Sequence, residues 1–279
     1  MAKIKTFIKA FIPPIVNHFF KLLVTSNVPV KNIWVGNFAN WHEAKKTSTG
    51  YDQLQILEKC KNALLKVKSG EAKFERDSVL FDTIQYSWPL LAALQKIALE
   101  NSGNLCVIDF GGSLGSSFFQ NRSFLNGNTK IKWCIIEQPH FVEYGKKYFQ
   151  NDELLFYHSI DDCLKEQQPK LLLLNSVLPY IEKSYELIQQ IITYNIDYIF
   201  MDRTSFIAKA EDRITLQTVP PAIYVASYPC WFFNEKRLLS QFLLKYNQIA
   251  DFDCNGTTTP FLSEDKKLMY WKGWFLKIF

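Results

Sequence analysis

From residue 103 onward the hydrophobic pattern changes character. Short, nearly unbroken apolar runs at 105–110, 131–137, 154–157, 170–175 and 196–202 alternate with polar or amphipathic stretches, and predict five strands. Unbroken apolarity, rather than strict alternation, marks strands buried on both faces, as in a parallel sheet covered by helices. The stretches between the runs are long enough for crossover helices, so a doubly wound arrangement follows. The tail departs from this rhythm. Asn234 predicts an N-cap for a helix reaching about residue 246, with Leu238, Leu239, Phe242 and Leu243 on its inner face. Two further strand-like runs, 248–254 and 268–278, are joined by a turn-rich connection with no helix, which predicts an antiparallel pair. The expected fold class is α/β, a doubly wound and mostly parallel seven-stranded sheet.

Upstream of residue 103 the pattern is helical and aromatic. Pro13-Pro14 breaks a first helical stretch, and a second short apolar helix is predicted over 15–23. An irregular stretch then passes Trp34, Gly36, Trp41 and Gly50-Tyr51-Asp52. Leu54, Leu57, Leu64 and Leu65 recur at helical spacing over 52–67, and another helix is predicted over 77–100, which Pro89 can kink. The chain therefore divides into an N-terminal helical, aromatic cap (1–102) and a sheet domain (103–279).

Composition narrows the class. With 279 residues, 48% of them hydrophobic and 15% aromatic, the chain can bury a sizeable core. The formal charge of +5 is mild and most lysines lie among acidic residues, which argues against a nucleic-acid partner. Six scattered cysteines without a C-x-x-C pair suit reduced thiols in the cytoplasm, and no cluster of residues has metal-ligand spacing. No apolar run reaches about 18 residues, so a membrane span is not expected. The first residues mix Lys3, Lys5 and Lys9 with Phe7, Ile8, Phe11 and Ile12 and lack the lysine-free core of a secretory signal. Either residues 1–14 pack on the domain, or they make a weak peripheral contact with the inner face of the membrane.

The sharpest chemical signal is Val107-Ile-Asp-Phe-Gly-Gly-Ser-Leu-Gly115. A buried strand ends in Asp109, and Gly111, Gly112 and Gly115 precede a predicted helix near Ser116. Glycines let a ligand approach main-chain N–H groups without a Cβ clash. A dinucleotide loop would read G-x-G-x-x-G; here a carboxylate stands immediately before the glycines, where it repels pyrophosphate but can orient an ammonium group. The alternative is a purely structural strand-to-helix turn. The next strand ends in Glu137, placed to accept both hydroxyls of a ribose. After the third strand, Asp161 or Asp162 can accept an exocyclic amine of adenine or cap the following helix. At the end of the fourth, Asn175 and Ser176 are either polar contacts to the reacting group or another cap.

The series Trp34-Val-Gly36, Trp41, Gly50-Tyr51-Asp52, Glu75-Arg76-Asp77, Asp109-Phe-Gly-Gly-Ser-Leu-Gly115, Ile136-Glu-Gln138, His158-Ser159-Ile160 and Tyr228-Pro229 resembles a methyltransferase family of bacterial surface-polysaccharide gene clusters. The resemblance runs from about Trp34 to the C-terminus. It implies a class I, Rossmann-like fold, S-adenosylmethionine as cofactor, and O-methylation of a sugar or glycan, small or lipid-linked. The expected cofactor site comprises Asp109, Gly111, Gly112, Ser113, Gly115, Glu137, Gln138, Ser159, Asp161, Asn175 and Ser176. For catalysis a histidine is the favoured base for a sugar hydroxyl. His158, and after it His140, lie near expected strand ends, with Tyr180 and Arg203 as further candidates. Arg203 and Arg213 can clamp an anionic acceptor group, or the long segment carrying them is a structural cover. The rival reading is a non-catalytic nucleotide or nucleotide-sugar binding module on the same fold. A nicotinamide-dependent oxidoreductase is disfavoured by the missing G-x-G-x-x-G.

Overall fold

The computed structural model describes residues 33–50, 54–125, 127, 129–219, 226–254 and 259–279. The stretches predicted as helices before Ile33, the Tyr51-Asp52 part of the Gly-Tyr-Asp element and the proposed membrane segment lie outside these residues.

The chain opens with β1 (Trp34–Phe38) and α1 (Trp41–Lys46), followed by α2 (Leu54–Ser69). The stretch expected to be irregular is thus a strand and a helix, and Asn40 caps that helix by accepting from Glu43 N–H at 2.9 Å. A hairpin of β2 (Phe74–Arg76) and β3 (Val79–Phe81) comes next, then α3 (Trp88–Glu100). This corrects the single helix expected over 77–100. Pro89 stands in the first turn of α3, where its missing N–H costs nothing, so it starts the helix and does not kink it.

From there the order is β4 (Asn104–Phe110), α4 (Ser116–Arg122), β5 (Lys130–Ile136), α5 (Pro139–Tyr148), β6 (Leu154–Tyr157), α6 (Ile160–Glu166) and β7 (Leu171–Asn175). A single 3-10 turn (Leu178–Tyr180) precedes α7 (Ser184–Thr193) and the long β8 (Tyr198–Ile207). β9 (Arg213–Thr218), β10 (Ser227–Phe232), α8 (Glu235–Leu243), β11 (Tyr246–Asp253), β12 (Phe261–Leu262) and β13 (Leu268–Ile278) complete the chain. Asn234 is the N-cap of α8, accepting from Arg237 N–H at 2.8 Å.

The central sheet has the order β11-β13-β8-β7-β4-β5-β6, with β12 appended to β13. β4, β5, β6, β7 and β8 run parallel, whereas β13 is antiparallel to both β8 and β11. Alternate residues of each strand feed two cores. Val107, Trp133, Leu171 and Phe200 face α2–α5 through Leu57, Leu94, Phe118 and Phe141. Ile108, Cys134, Leu172 and Met201 face α6–α8 through Cys163, Ile188 and Phe242. Both sheet faces are therefore dry, which explains the unbroken apolar runs. Leu90, Leu94 and Ile97 from before residue 103 share the first core with Leu105 and Val107.

A smaller antiparallel sheet, β1-β9-β10, stands on the long strand. β7 ends at Asn175, paired with Asp202, while β8 continues to Ile207. That overhang carries the small sheet through a bridge from Phe206 to Phe233. Its position places aromatic residues of β1 and β10 above the carboxyl edge of the parallel strands.

Candidate functional site

β4 and β7 are neighbours from which the chain winds in opposite directions, the switch point at which open α/β sheets hold ligands. The loop after β4 is tightly wound and packs closely on the protein around it. Gly111, Ser113 and Gly115 have φ of +71°, +55° and +104°. A Cβ on Gly111 would lie 2.6 Å from Val177 Cγ2, and one on Gly112 would lie 2.6 Å from the carboxylate carbon of Asp109. Asp109 itself is 1% exposed, beneath the loop. Burial pushes its carboxyl up to about 7; the bond from Trp133 Nε1 works against the rise and the charge of Glu137 adds to it.

Glu137 directly follows β5 and stands beside the same loop. Its carboxylate accepts from Ser113 N–H at 3.3 Å and from Gln138 N–H at 2.7 Å, and burial raises its pKa. One acid thus lies under the glycine loop and a second beside it. The Gln138 side chain is exposed at the start of α5.

At the third strand's end the side chains are engaged with one another. Ser159 caps α6, accepting from Asp162 N–H at 3.0 Å and donating to Asp162 Oδ2 at 2.7 Å. Asp161 is exposed and accepts from the Tyr194 hydroxyl at 3.0 Å. His158 is exposed at the surface, its Nε2 3.6 Å from Glu143 Oε1. His140 sits in the first turn of α5, with Nε2 buried and without a hydrogen-bond partner among the described residues.

At the fourth strand's end Asn175 Oδ1 accepts from Arg203 Nε at 3.0 Å, and Asn175 Nδ2 donates to Ser117 Oγ at 3.4 Å. Ser176 adopts φ +58° and its N–H donates to the Asp202 carbonyl at 2.9 Å. The Tyr180 hydroxyl donates to Gln217 Oε1 at 2.9 Å, an oxygen that also accepts from Trp34 Nε1 at 3.0 Å. Tyr180 meets Tyr228 edge to face at 5.2 Å. Arg213, grouped with Arg203 as an anion clamp, is instead 6% exposed and donates to Asp265 Oδ2 at 2.6 Å. Its charge is answered within the protein.

The β2–β3 hairpin is a part of the site that periodicity missed. Glu75 is 4% exposed, hydrogen-bonded by the Ser116 hydroxyl at the start of α4 and by Ser78 N–H at 3.1 Å. Burial pushes its pKa up to about 7, against the opposing bond from Ser116. Cys60 Sγ lies 3.3 Å from Ser78 Oγ, and the Arg76 guanidinium is 5.7 Å from the Phe81 ring centroid. The signal was present: Asp77-Ser78 separates two short strand-forming runs, and both residues take positive φ, 51° and 65°, as a tight hairpin turn requires. Ser87 Oγ reaches Asp202 Oδ2 at 3.3 Å from the start of α3. Among the described residues no group of His, Cys, Asp or Glu side chains is arranged to hold a metal ion.

The strand order, with an antiparallel strand inserted beside the last parallel one, is the class I methyltransferase form of the Rossmann-like fold. No protein-family model matches the chain, and no curated protein matches it. Solved structures similar to it include the N-terminal domain of EvdMO1 with SAH and D-fucose, at 10% identity and TM-score 0.44 over 78% of this chain and 97% of that one. Another is an S-adenosylmethionine-dependent methyltransferase from Clostridium acetobutylicum, at 9% and 0.43 over 78% and 98%. A third is magnesium protoporphyrin IX methyltransferase from Synechocystis with bound SAM, at 11% and 0.43 over 82% and 87%. The residue assignments rest on the geometry above.

Proposed function

We propose that this chain is an S-adenosylmethionine-dependent methyltransferase that O-methylates a sugar or glycan of a cell-surface polysaccharide. One observation carries the cofactor half: a loop with no room for a Cβ at Gly111 or Gly112, flanked by carboxylates from two adjacent strands, Asp109 beneath and Glu137 beside. Such a cradle suits a ligand with a cationic amino-acid end and a ribose, and repels a pyrophosphate. Glu137 would accept the ribose hydroxyls, Asp109 would favour the ammonium through its charge, and Gly111–Gly115 would allow the close approach. Asn175 and Ser176, at the tip of β7, would border the reacting side.

When bound, the cofactor supplies an electrophilic methyl group, so the protein's own task is to position the acceptor. Tyr180 and Tyr228, meeting edge to face at 5.2 Å beyond the tip of β7, support a sugar acceptor, because aromatic side chains suit the apolar face of a pyranose. The polysaccharide context rests on the sequence resemblance alone. With it goes a proposed place of work in the cytoplasm at the inner face of the membrane, residues 1–14 making a weak contact. No helix among the described residues is long and apolar enough to cross a membrane. Flotation of the full chain and a 1–14 deletion with anionic liposomes tests that contact, and equal failure of both to float removes it.

The second reading, a nucleotide-binding module without transfer, is favoured by one observation. His158, the residue nominated as base, lies exposed beside Glu143. Calorimetry with S-adenosylhomocysteine and a radiolabelled-methyl screen against sugar nucleotides and lipid-linked glycans separate the readings. Micromolar binding with methyl incorporation supports the enzyme. Binding without incorporation into any acceptor supports the module, and no binding defeats the cofactor assignment.

A further inference from the structure

Arg203 occupies an unusual backbone position. Where β8 meets β13, Met201 pairs with Trp274 and Thr204 with Lys272, so two residues of β8, Asp202 and Arg203, oppose the single Gly273. The extra residue is a β-bulge, and Arg203 takes φ +51° within it. The partner strand is fitted to this distortion: a Cβ on Gly273 would lie 2.6 Å from the Met201 carbonyl oxygen. A bulge of this kind re-aims a side chain, and here it turns Arg203 back across β7, where Nε donates to Asn175 Oδ1 at 3.0 Å.

That bond leaves the outer fork of the guanidinium unspent. Among the described residues neither Nη of Arg203 makes a hydrogen bond or an ion pair, although the residue is half-buried. Its anchor is a neutral amide, so no carboxylate answers its charge directly. The charge is nevertheless felt on both sides of the crevice: it lowers the pKa of Asp109 against burial, and with burial it lowers that of Arg76 on the β2–β3 hairpin. A half-buried cation with a free donor fork is arranged for an anion from outside, since planar oxyanions match that fork bidentately.

We propose that the Nη groups of Arg203 bind an anionic group, a carboxylate or phosphate, of the methyl acceptor. The proposal rests on the methyltransferase reading and narrows its acceptor to acidic molecules such as uronic acids or sugar phosphates. The cofactor's own carboxylate is the other source of the same chemistry, and the experiment separates the two.

The full chain, saturated with S-adenosylhomocysteine, is titrated with malonate and with inorganic phosphate at fixed ionic strength while the arginine Nε–H resonances are followed by NMR. The Arg203 resonance is assigned by its loss in Arg203→Lys. The expected result is a saturable shift at Arg203 with both anions and none with methyl glucoside. Arg203→Lys should weaken the anion affinity on the order of tenfold, because a point charge replaces the fork. Arg203→Gly, which suits the left-handed backbone and so guards against misfolding, should abolish binding as read by calorimetry. Absence of a saturable shift in the loaded protein overturns the proposal. So does a shift that survives with methylthioadenosine, which lacks the amino-acid moiety, but disappears with S-adenosylhomocysteine; the fork then serves the cofactor. If calorimetry shows no S-adenosylhomocysteine binding while the anions still shift Arg203, the methyltransferase reading fails and the anion site stands by itself.

Discussion

Trp133 Nε1 donates to Asp109 Oδ2 at 3.0 Å, joining the middle of β5 to the end of β4 beneath the glycine loop. Both residues are buried, Trp133 completely, so this bond is the side-chain hydrogen bond available to a carboxyl removed from water. Trp133→Phe keeps the ring and removes the donor. It should lower stability by about 1–3 kcal/mol, the cost of stranding a buried polar group. Urea denaturation measures this, and a loss under about 0.5 kcal/mol would mean that the indole N–H is expendable.

The same acid sets a pH dependence. Asp109 loses its proton near 3.8 in the unfolded chain and at about 7 in the folded one, because burial disfavours the charge. Between those values the folded state holds the extra proton, so its contribution to stability is full at low pH and falls as pH rises toward 7. Glu75 acts with the same sign. Asp109→Asn should flatten part of this decline in denaturation curves taken across the acid range. An unchanged slope would place the titration elsewhere.

Ligand binding should follow the opposite direction. An ammonium-bearing ligand prefers the ionised carboxylate, so affinity for S-adenosylhomocysteine should rise from about pH 6 to about pH 8, with proton release near neutrality. Calorimetry in buffers of different ionisation enthalpy counts the proton. A flat profile would show that the ligand does not sense Asp109.

Gly112→Ala would set a methyl carbon 2.6 Å from the Asp109 carboxylate carbon. Neither the loop nor the buried acid can retreat freely, so the expected cost is about 1–3 kcal/mol of stability together with weaker cofactor binding. Gly70→Ala, where a Cβ meets nothing within 4 Å but the backbone has φ +84°, reports the cost of backbone strain without crowding. A Gly112→Ala variant as stable as the parent would argue that the loop is loosely packed.

Glu137→Gln keeps the shape of the side chain and removes its charge. If the carboxylate accepts ribose hydroxyls, S-adenosylhomocysteine affinity should fall by about 1.5–3 kcal/mol, the range for charged hydrogen bonds, while the melting temperature stays close to that of the parent. Unaltered affinity would remove Glu137 from the site.

The parallel strands were legible because burial on both faces leaves an unbroken apolar run: 105–110 and 170–175 each lie within one residue of the observed β4 and β7. β8 was cut short at residue 202 because Asp202-Arg203-Thr204 reads as a polar break, whereas the strand passes through it as a bulge and continues to Ile207. The placement of Asp109 and Glu137 by the glycine loop was legible because each stands at the end of a recognisable run. Glu75 could not be placed from periodicity, since its meeting with Ser116 joins elements that are remote along the chain. Ser159 and Asp161 show the limit of local reading: the same polar cluster serves a cap or a ligand, and here Ser159 caps α6 while Asp161 meets Tyr194.

Among the described residues β1 has its sheet partner in β9, and Trp34 meets Gln217 across 183 positions of sequence. A ribosome adding about 5–20 residues per second needs roughly 10–40 s to span that distance. During this interval every strand of the parallel sheet emerges while Trp34–Phe38 waits as an unpaired edge. The residues of the glycine loop are therefore synthesised well before the sheet partner of β1. A chain halted after Ile207 would hold Asp109, the glycine loop and Glu137 but lack β9 and β10, so the small sheet resting on the β8 overhang is the later of the two to be synthesised.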